Sequence, residues 1–276
     1  IRWQATAVTQ YCQLRLSRVR IRSPFFRPRE LRKFAACLER SEISRKVNVR
    51  RSPRSLSQTR ARFSVEQDLT RAAGEADLII EAIVEIYEAK AALFQELDSI
   101  IRPDAIVATN SSYMVSSLFQ KCFTDPSRLL NCHFYNPALV MKFVEVVQGP
   151  HTNPACPEAV MEFCRSLGKV PIWMKKEISG FAANRIIGVI NAEARALVQN
   201  GYLTYQEVDI ACEQGLNHPM GPFRLMDMTG IDLTYDLMKA GVDAGQPKPD
   251  CYDLIESMVQ QGRLGRKTGH GFYDYT

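Results

Sequence analysis

The sequence predicts an α/β fold, a parallel-sheet domain whose N-terminal half is missing or corrupted, followed by an all-helical domain. Three observations lead there: short apolar runs alternate with amphipathic stretches from Asp77 to Met174; the apolar runs give way to helical periodicity after Ser179; and residues 1–62 follow neither pattern. The expected organisation is therefore an atypical Arg-rich segment at 1–62, a partial sheet domain at 63–178 and a helical domain at 179–276.

The first segment stands apart in charge. Residues 1–62 hold 15 Arg and 2 Lys against 3 Glu, a balance of +14, while residues 63–276 carry −9, which together give the net +5 of the 276-residue chain. The segment contains no glycine, the first in the chain being Gly74. A frameshifted stretch would read this way, and so would an Arg- and Ser-rich targeting leader or disordered arm. A basic arm could also neutralise phosphates, but nucleic acid is not expected as a partner.

From Asp77 the order becomes regular. Leu78 to Ile80 reads as a buried strand, Ile86 to Ile101 as an amphipathic helix with Ile86, Ala89, Leu93, Leu97 and Ile100 on its apolar face, and Ala105 to Thr109 as a second strand. Further strands are expected at Leu129 to His133, Lys142 to Val147 and Val170 to Met174, with a helix at Pro157 to Leu167. Apolar strands joined through helices imply a parallel sheet covered on both faces. After Ser179, Phe181, Ile186, Ile187, Ile190, Ala194, Leu197 and Val198 form one helical face that Gly201 terminates. Shorter helices follow at 204–214, 223–228, 233–240 and 252–261.

Composition narrows the function classes. No run approaches the roughly 18 apolar residues of a membrane span, so no membrane partner is expected. The eight cysteines show no C-x-x-C pair and the four histidines no metal-ligand spacing, so reduced thiols and no metal are expected. The glycines at 262, 265, 269 and 271 imitate a phosphate loop but lack a preceding strand, and read as a turn-rich tail. In open parallel sheets ligands sit beyond the carboxyl ends of the strands, here Glu81-Ala82, Asn110-Ser111-Ser112 and His133. Asn110 and the serines could equally cap a helix. His133, twelve residues before Glu145 on the next strand, invites a His–carboxylate pair.

Seven blocks in order carry a resemblance: residues 80–85 (IEAIVE), 108–112 (ATNSS), 133–137 (HFYNP), 141–146 (MKFVEV), 180–185 (GFAANR), 217–222 (NHPMGP) and 264–273 (LGRKTGHGFY). The chain resembles the 3-hydroxyacyl-CoA dehydrogenase family over about residues 63–276. The resemblance implies a Rossmann-like cofactor domain and a helical domain forming a homodimer. It implies interconversion of L-3-hydroxyacyl-CoA and 3-ketoacyl-CoA with NAD, as in fatty-acid β-oxidation and butanoate metabolism.

By the same resemblance His133 is the base, Glu145 its carboxylate partner, and Ser112 and Asn184 hold the reacting oxygen or thioester. Ala82, Glu85, Lys90, Asn110 and Asn136 are assigned to the nicotinamide side of NAD. The substrate partner is an acyl-CoA, and the compartment is cytoplasmic, or the mitochondrial matrix in a eukaryote. The glycine-rich turn for the pyrophosphate and the acidic residue for the ribose are absent, because no glycine precedes Gly74. An impaired homologue, a dimerising scaffold and a dehydrogenase of free hydroxy acids are the competing readings.

Overall fold

The computed structural model describes residues 4–9, 18–22, 63–136, 138 and 140–276. It divides into two compact units, residues 1–181 and 182–276. Most of the Arg-rich stretch expected to be a leader or frameshift lies outside the described residues.

The first unit is built on an eight-stranded sheet: β1 (Gln4–Thr9), β2 (Arg18–Arg22), β3 (Phe63–Val65), β4 (Leu78–Ala82), β5 (Ile106–Thr109), β6 (Leu129–Phe134), β7 (Phe143–Val147) and β8 (Val170–Met174). Their spatial order is β3-β2-β1-β4-β5-β6-β7-β8. The strand order turns around at β1 and β4, as in doubly wound sheets that bind nucleotides. The helices are α1 (Leu69–Ala73), α2 (Tyr87–Asp98) and α3 (Ala155–Ser166).

The expected parallel sheet needs a correction. β6 and β7 pair antiparallel, so β7 and β8, parallel to each other, run against the rest. Only residues 135–142 join β6 to β7. The chain folds back across this short connection, and the two strands pair in antiparallel register.

Alternation along each strand divides the core. Leu78, Ile80, Ala108, Leu130, Cys132, Val144 and Val146 pack on one face with Val160, Phe163 and Cys164 of α3. Ile79, Val107 and Leu129 face the other way, against Leu93, Phe94 and Leu97 of α2. Strands covered on both sides need apolar residues at consecutive positions, which is why Leu78-Ile79-Ile80 reads as an unbroken run. The buried face of α2 is Lys90, Leu93, Phe94 and Leu97, while Ile86 is exposed. The expected face is thus turned by about one residue, with a lysine where the pattern anticipated an aliphatic.

The second unit contains α4 (Ala183–Gln199), α5 (Tyr205–Ile210), which runs into a wider turn at Ala211–Gly215, α6 (Pro222–Thr229), α7 (Ile231–Asp243) and α8 (Tyr252–Gln260). Gly201 ends α4 with φ +71, as expected. Thr204 and Glu207 close a capping box at the start of α5. Two buried carboxylates organise the rest. Asp209 accepts the backbone N–H groups of Phe223 and Arg224 at the start of α6, and Asp227 accepts those of Phe272 and Tyr273 in the tail. A Cβ at Gly265 would lie 2.2 Å from the Asp227 carbonyl oxygen, so glycine is required there to let the tail close. That is the structural reading of these glycines.

Phe181 departs from expectation. It precedes α4 instead of contributing to its face, and its φ of +50 lies in the left-handed region.

Candidate active site

Side-chain alternation collects the polar groups of the first unit on one face of the sheet. On β4, β5 and β6 the apolar residues of one parity build the core with α3. Glu81, Thr109, Asn131 and His133 have the opposite parity and are buried. On β7 Val144 and Val146 point to α3, which places Glu145 on the side of His133. The antiparallel register makes His133 and Glu145 direct cross-strand partners.

The pair is bonded. His133 Nδ1 lies 2.9 Å from Glu145 Oε2, and Nε2 lies 3.1 Å from the Ser112 hydroxyl. Tyr135 donates its hydroxyl to the same Glu145 Oε2 at 2.9 Å. A carboxylate oxygen only accepts, so His133 Nδ1 is the donor to Glu145, and in the neutral tautomer this leaves Nε2 to accept from the Ser112 hydroxyl. The imidazole is walled by the rings of Tyr135 and Phe181, with centroids 4.6 and 5.5 Å away. The left-handed backbone at Phe181 turns its ring into the unit's interior, where it is fully buried.

A second cluster lies at the ends of β4 and β5. Glu81, 0% exposed, accepts the Ile83 N–H at 2.7 Å, the Lys90 ammonium at 2.7 Å and the Thr109 hydroxyl at 2.6 Å. Lys90, 1% exposed, also reaches Glu85 Oε2 at 3.2 Å. Glu85 further accepts from the Ser111 hydroxyl. Burial pushes the Glu85 carboxyl upward, but the Ser111 hydroxyl and the Lys90 ammonium outweigh it and hold the group below the ordinary carboxylate value.

Among the residues singled out from sequence, the structure brings Ser112, His133 and Glu145 into one hydrogen-bonded chain. Lys90 and Glu85 form an ion pair across the turn from β4 to α2, and Ala82 is the last residue of β4. Asn110 caps no helix; its Oδ1 accepts the Phe134 N–H at 2.8 Å and ties the end of β5 to the end of β6. Asn136 is exposed on the loop after β6. Asn184 is the second residue of α4, half-buried in the second unit.

From the sequence Glu81 is only a strand end and Phe181 only part of a helical face, and neither Thr109 nor Tyr135 has a place in the site. A carboxylate ending an otherwise apolar strand, paired in parity with Thr109 on the next, is the available signal for Glu81 and Thr109. Nothing local announces the others. Among the described residues no cluster of His, Cys, Asp or Glu could hold a metal, and no helix is long and apolar enough to cross a membrane.

Comparison with known proteins identifies the family. The 3-hydroxyacyl-CoA dehydrogenase NAD binding domain matches residues 18–178, and the C-terminal domain of the same family matches residues 180–275. The chain is 37% identical over 202 residues to a 3-hydroxybutyryl-CoA dehydrogenase of Clostridioides difficile, covering 73% of this chain and 72% of that one. It is 33% identical over 230 residues to the mitochondrial hydroxyacyl-coenzyme A dehydrogenase of Rattus norvegicus, covering 83% and 73%. The crystal structure of (S)-3-hydroxybutyryl-CoA dehydrogenase from Ralstonia eutropha superposes with a TM-score of 0.81 at 27% identity, covering 99% of each chain. The chain belongs to the 3-hydroxyacyl-CoA dehydrogenase family, an NAD-dependent oxidoreductase family.

Proposed function

We propose that this chain interconverts L-3-hydroxyacyl-CoA and 3-ketoacyl-CoA, with Ser112, His133 and Glu145 as the reacting group. The observation that carries the reading is the Ser112–His133–Glu145 hydrogen-bonded chain at the strand ends. NAD, when bound, would supply the acceptor for the hydride leaving carbon 3. His133 Nε2 takes the proton of the 3-hydroxyl in oxidation and returns it to the keto oxygen in reduction. Glu145 holds the Nδ1–H and stabilises the ring once it is charged. Ser112, bonded to Nε2, marks where the substrate oxygen would sit, and Asn184 is proposed as a substrate-binding residue by family resemblance.

The residues fit NAD on one side. Ala82, Glu85, Asn110 and Asn136 are proposed for the nicotinamide half, with Lys90 holding Glu85 in place from its buried position. The pyrophosphate side does not fit. Residues 10–17, between parallel neighbours β1 and β2, number eight and contain no glycine. A glycine turn with its helix needs about a dozen or more. That segment lies outside the described residues, and its sequence favours the second reading, a catalytically impaired homologue.

We propose a homodimer through the helical unit, supported by Ile186 and Val189 of α4, which are 62% and 71% exposed. The six described cysteines are unpaired, which supports a reducing compartment: the cytoplasm, or the mitochondrial matrix of a eukaryote. Oxidation of NADH with acetoacetyl-CoA tests the reaction. Turnover no greater than that of His133→Gln at saturating cofactor would overturn it.

A further inference from the structure

The Tyr135 hydroxyl touches the proposed His133–Glu145 pair without taking part in the proton transfer. Tyr135 lies one residue past the end of β6 and donates to Glu145 Oε2 at 2.9 Å, the oxygen that His133 Nδ1 also contacts at 2.9 Å. Its ring lies 4.6 Å from the imidazole and 5.3 Å from Phe143, the first residue of β7. The phenol is therefore clamped between the strands that supply the His and the Glu. A filler of that space would need only the ring.

We propose that Tyr135 is a positioning residue for the His133–Glu145 pair, on which this inference rests, its hydroxyl sharing Glu145 Oε2 with the imidazole and moderating the carboxylate's hold on His133. Two donors on one oxygen divide its lone pairs and charge, so each bond is weaker than it would be alone. A carboxylate held by the histidine alone would grip Nδ1–H more tightly and resist return of the proton from the charged ring. The hydroxyl also fixes the carboxylate in the orientation that leaves Nε2 turned to Ser112. Tyr135 itself exchanges no atom with substrate.

Proton NMR of the ring N–H region tests this on the chain as it stands. The His133 Nδ1–H resonance is identified by its loss in His133→Gln, and its burial protects it from exchange. Tyr135→Phe keeps the ring and should move the resonance downfield, as a shortened N–H···O⁻ bond does. Installing 3-fluorotyrosine at position 135, a stronger donor of similar shape, should move it upfield. Turnover in Tyr135→Phe should fall about tenfold, the worth of one hydrogen bond to a charged acceptor, with KM changed far less. A resonance unmoved in both variants would overturn the proposal. Near-normal turnover in His133→Gln would instead overturn the reading of the site, so the two failures are distinguishable.

Discussion

Replacing Lys90 by Met removes the only described cation that faces Glu81 and leaves everything else around that carboxylate in place. Glu81 would then be a fully buried charge with two neutral donors, the Ile83 N–H and the Thr109 hydroxyl. Removing one partner of a buried pair costs about 3–5 kcal/mol, because the remaining charge has lost solvent and counter-ion together. Against a domain stability of about 5–15 kcal/mol this is a large fraction. With a urea slope near 2 kcal/mol per M, the unfolding midpoint should fall by about 2 M. Glu85 adds little, since solvent reaches it and can replace the ammonium. Tryptophan fluorescence is a selective reporter, because Trp173, the one tryptophan among the described residues, lies on β8 of the first unit. The double variant Glu81→Gln with Lys90→Met should recover most of the loss, since no uncompensated charge remains. If Lys90→Met shifts the midpoint by less than about 0.3 M, the buried pair does not hold the end of β4, and the reasoning about this cluster is wrong.

Three other outcomes are expected. In a chain whose N-terminal segment carries the glycine turn, so that turnover is measurable, His133→Gln should lower turnover with acetoacetyl-CoA and NADH by about 10²–10⁴-fold, and Glu145→Gln should do related damage; in steady-state assays, a double variant far worse than either would mean the two act independently. Calorimetric titration should show NAD binding weaker than micromolar, since residues 1–62 offer no glycine turn for the pyrophosphate; micromolar affinity would contradict this. Glu85 is held below the ordinary carboxylate value in the fold, so its stabilising contribution is present above the unfolded value and lost as pH falls through the folded one. The stability gap between the protein and Glu85→Gln, measured by urea unfolding, should therefore shrink on acidification and not on alkalinisation.

Much was legible in the chain itself because it depends on local order. Consecutive apolar residues at 78–80 and 106–108 specify strands buried on both faces, and the end of that pattern after Ser179 marks the passage to helices. The spacing of His133 and Glu145 suggested their pairing, and the absence of glycine before Gly74 is a property of the sequence alone. The tertiary structure decided what depends on register and direction. β7 runs antiparallel to β6, and this register places Glu145 directly opposite His133 and on its face of the sheet. Lys90, assigned to the cofactor side by resemblance, proves to be buried against Glu81, since a buried carboxylate requires a counter-charge. Phe181 meets the imidazole from a left-handed backbone that no periodicity encodes, and Tyr135 reaches Glu145 across the antiparallel pair. Sequence determines which residues alternate and which are apolar; which of them meet is set by how the chain returns, and that is settled by packing across the sheet.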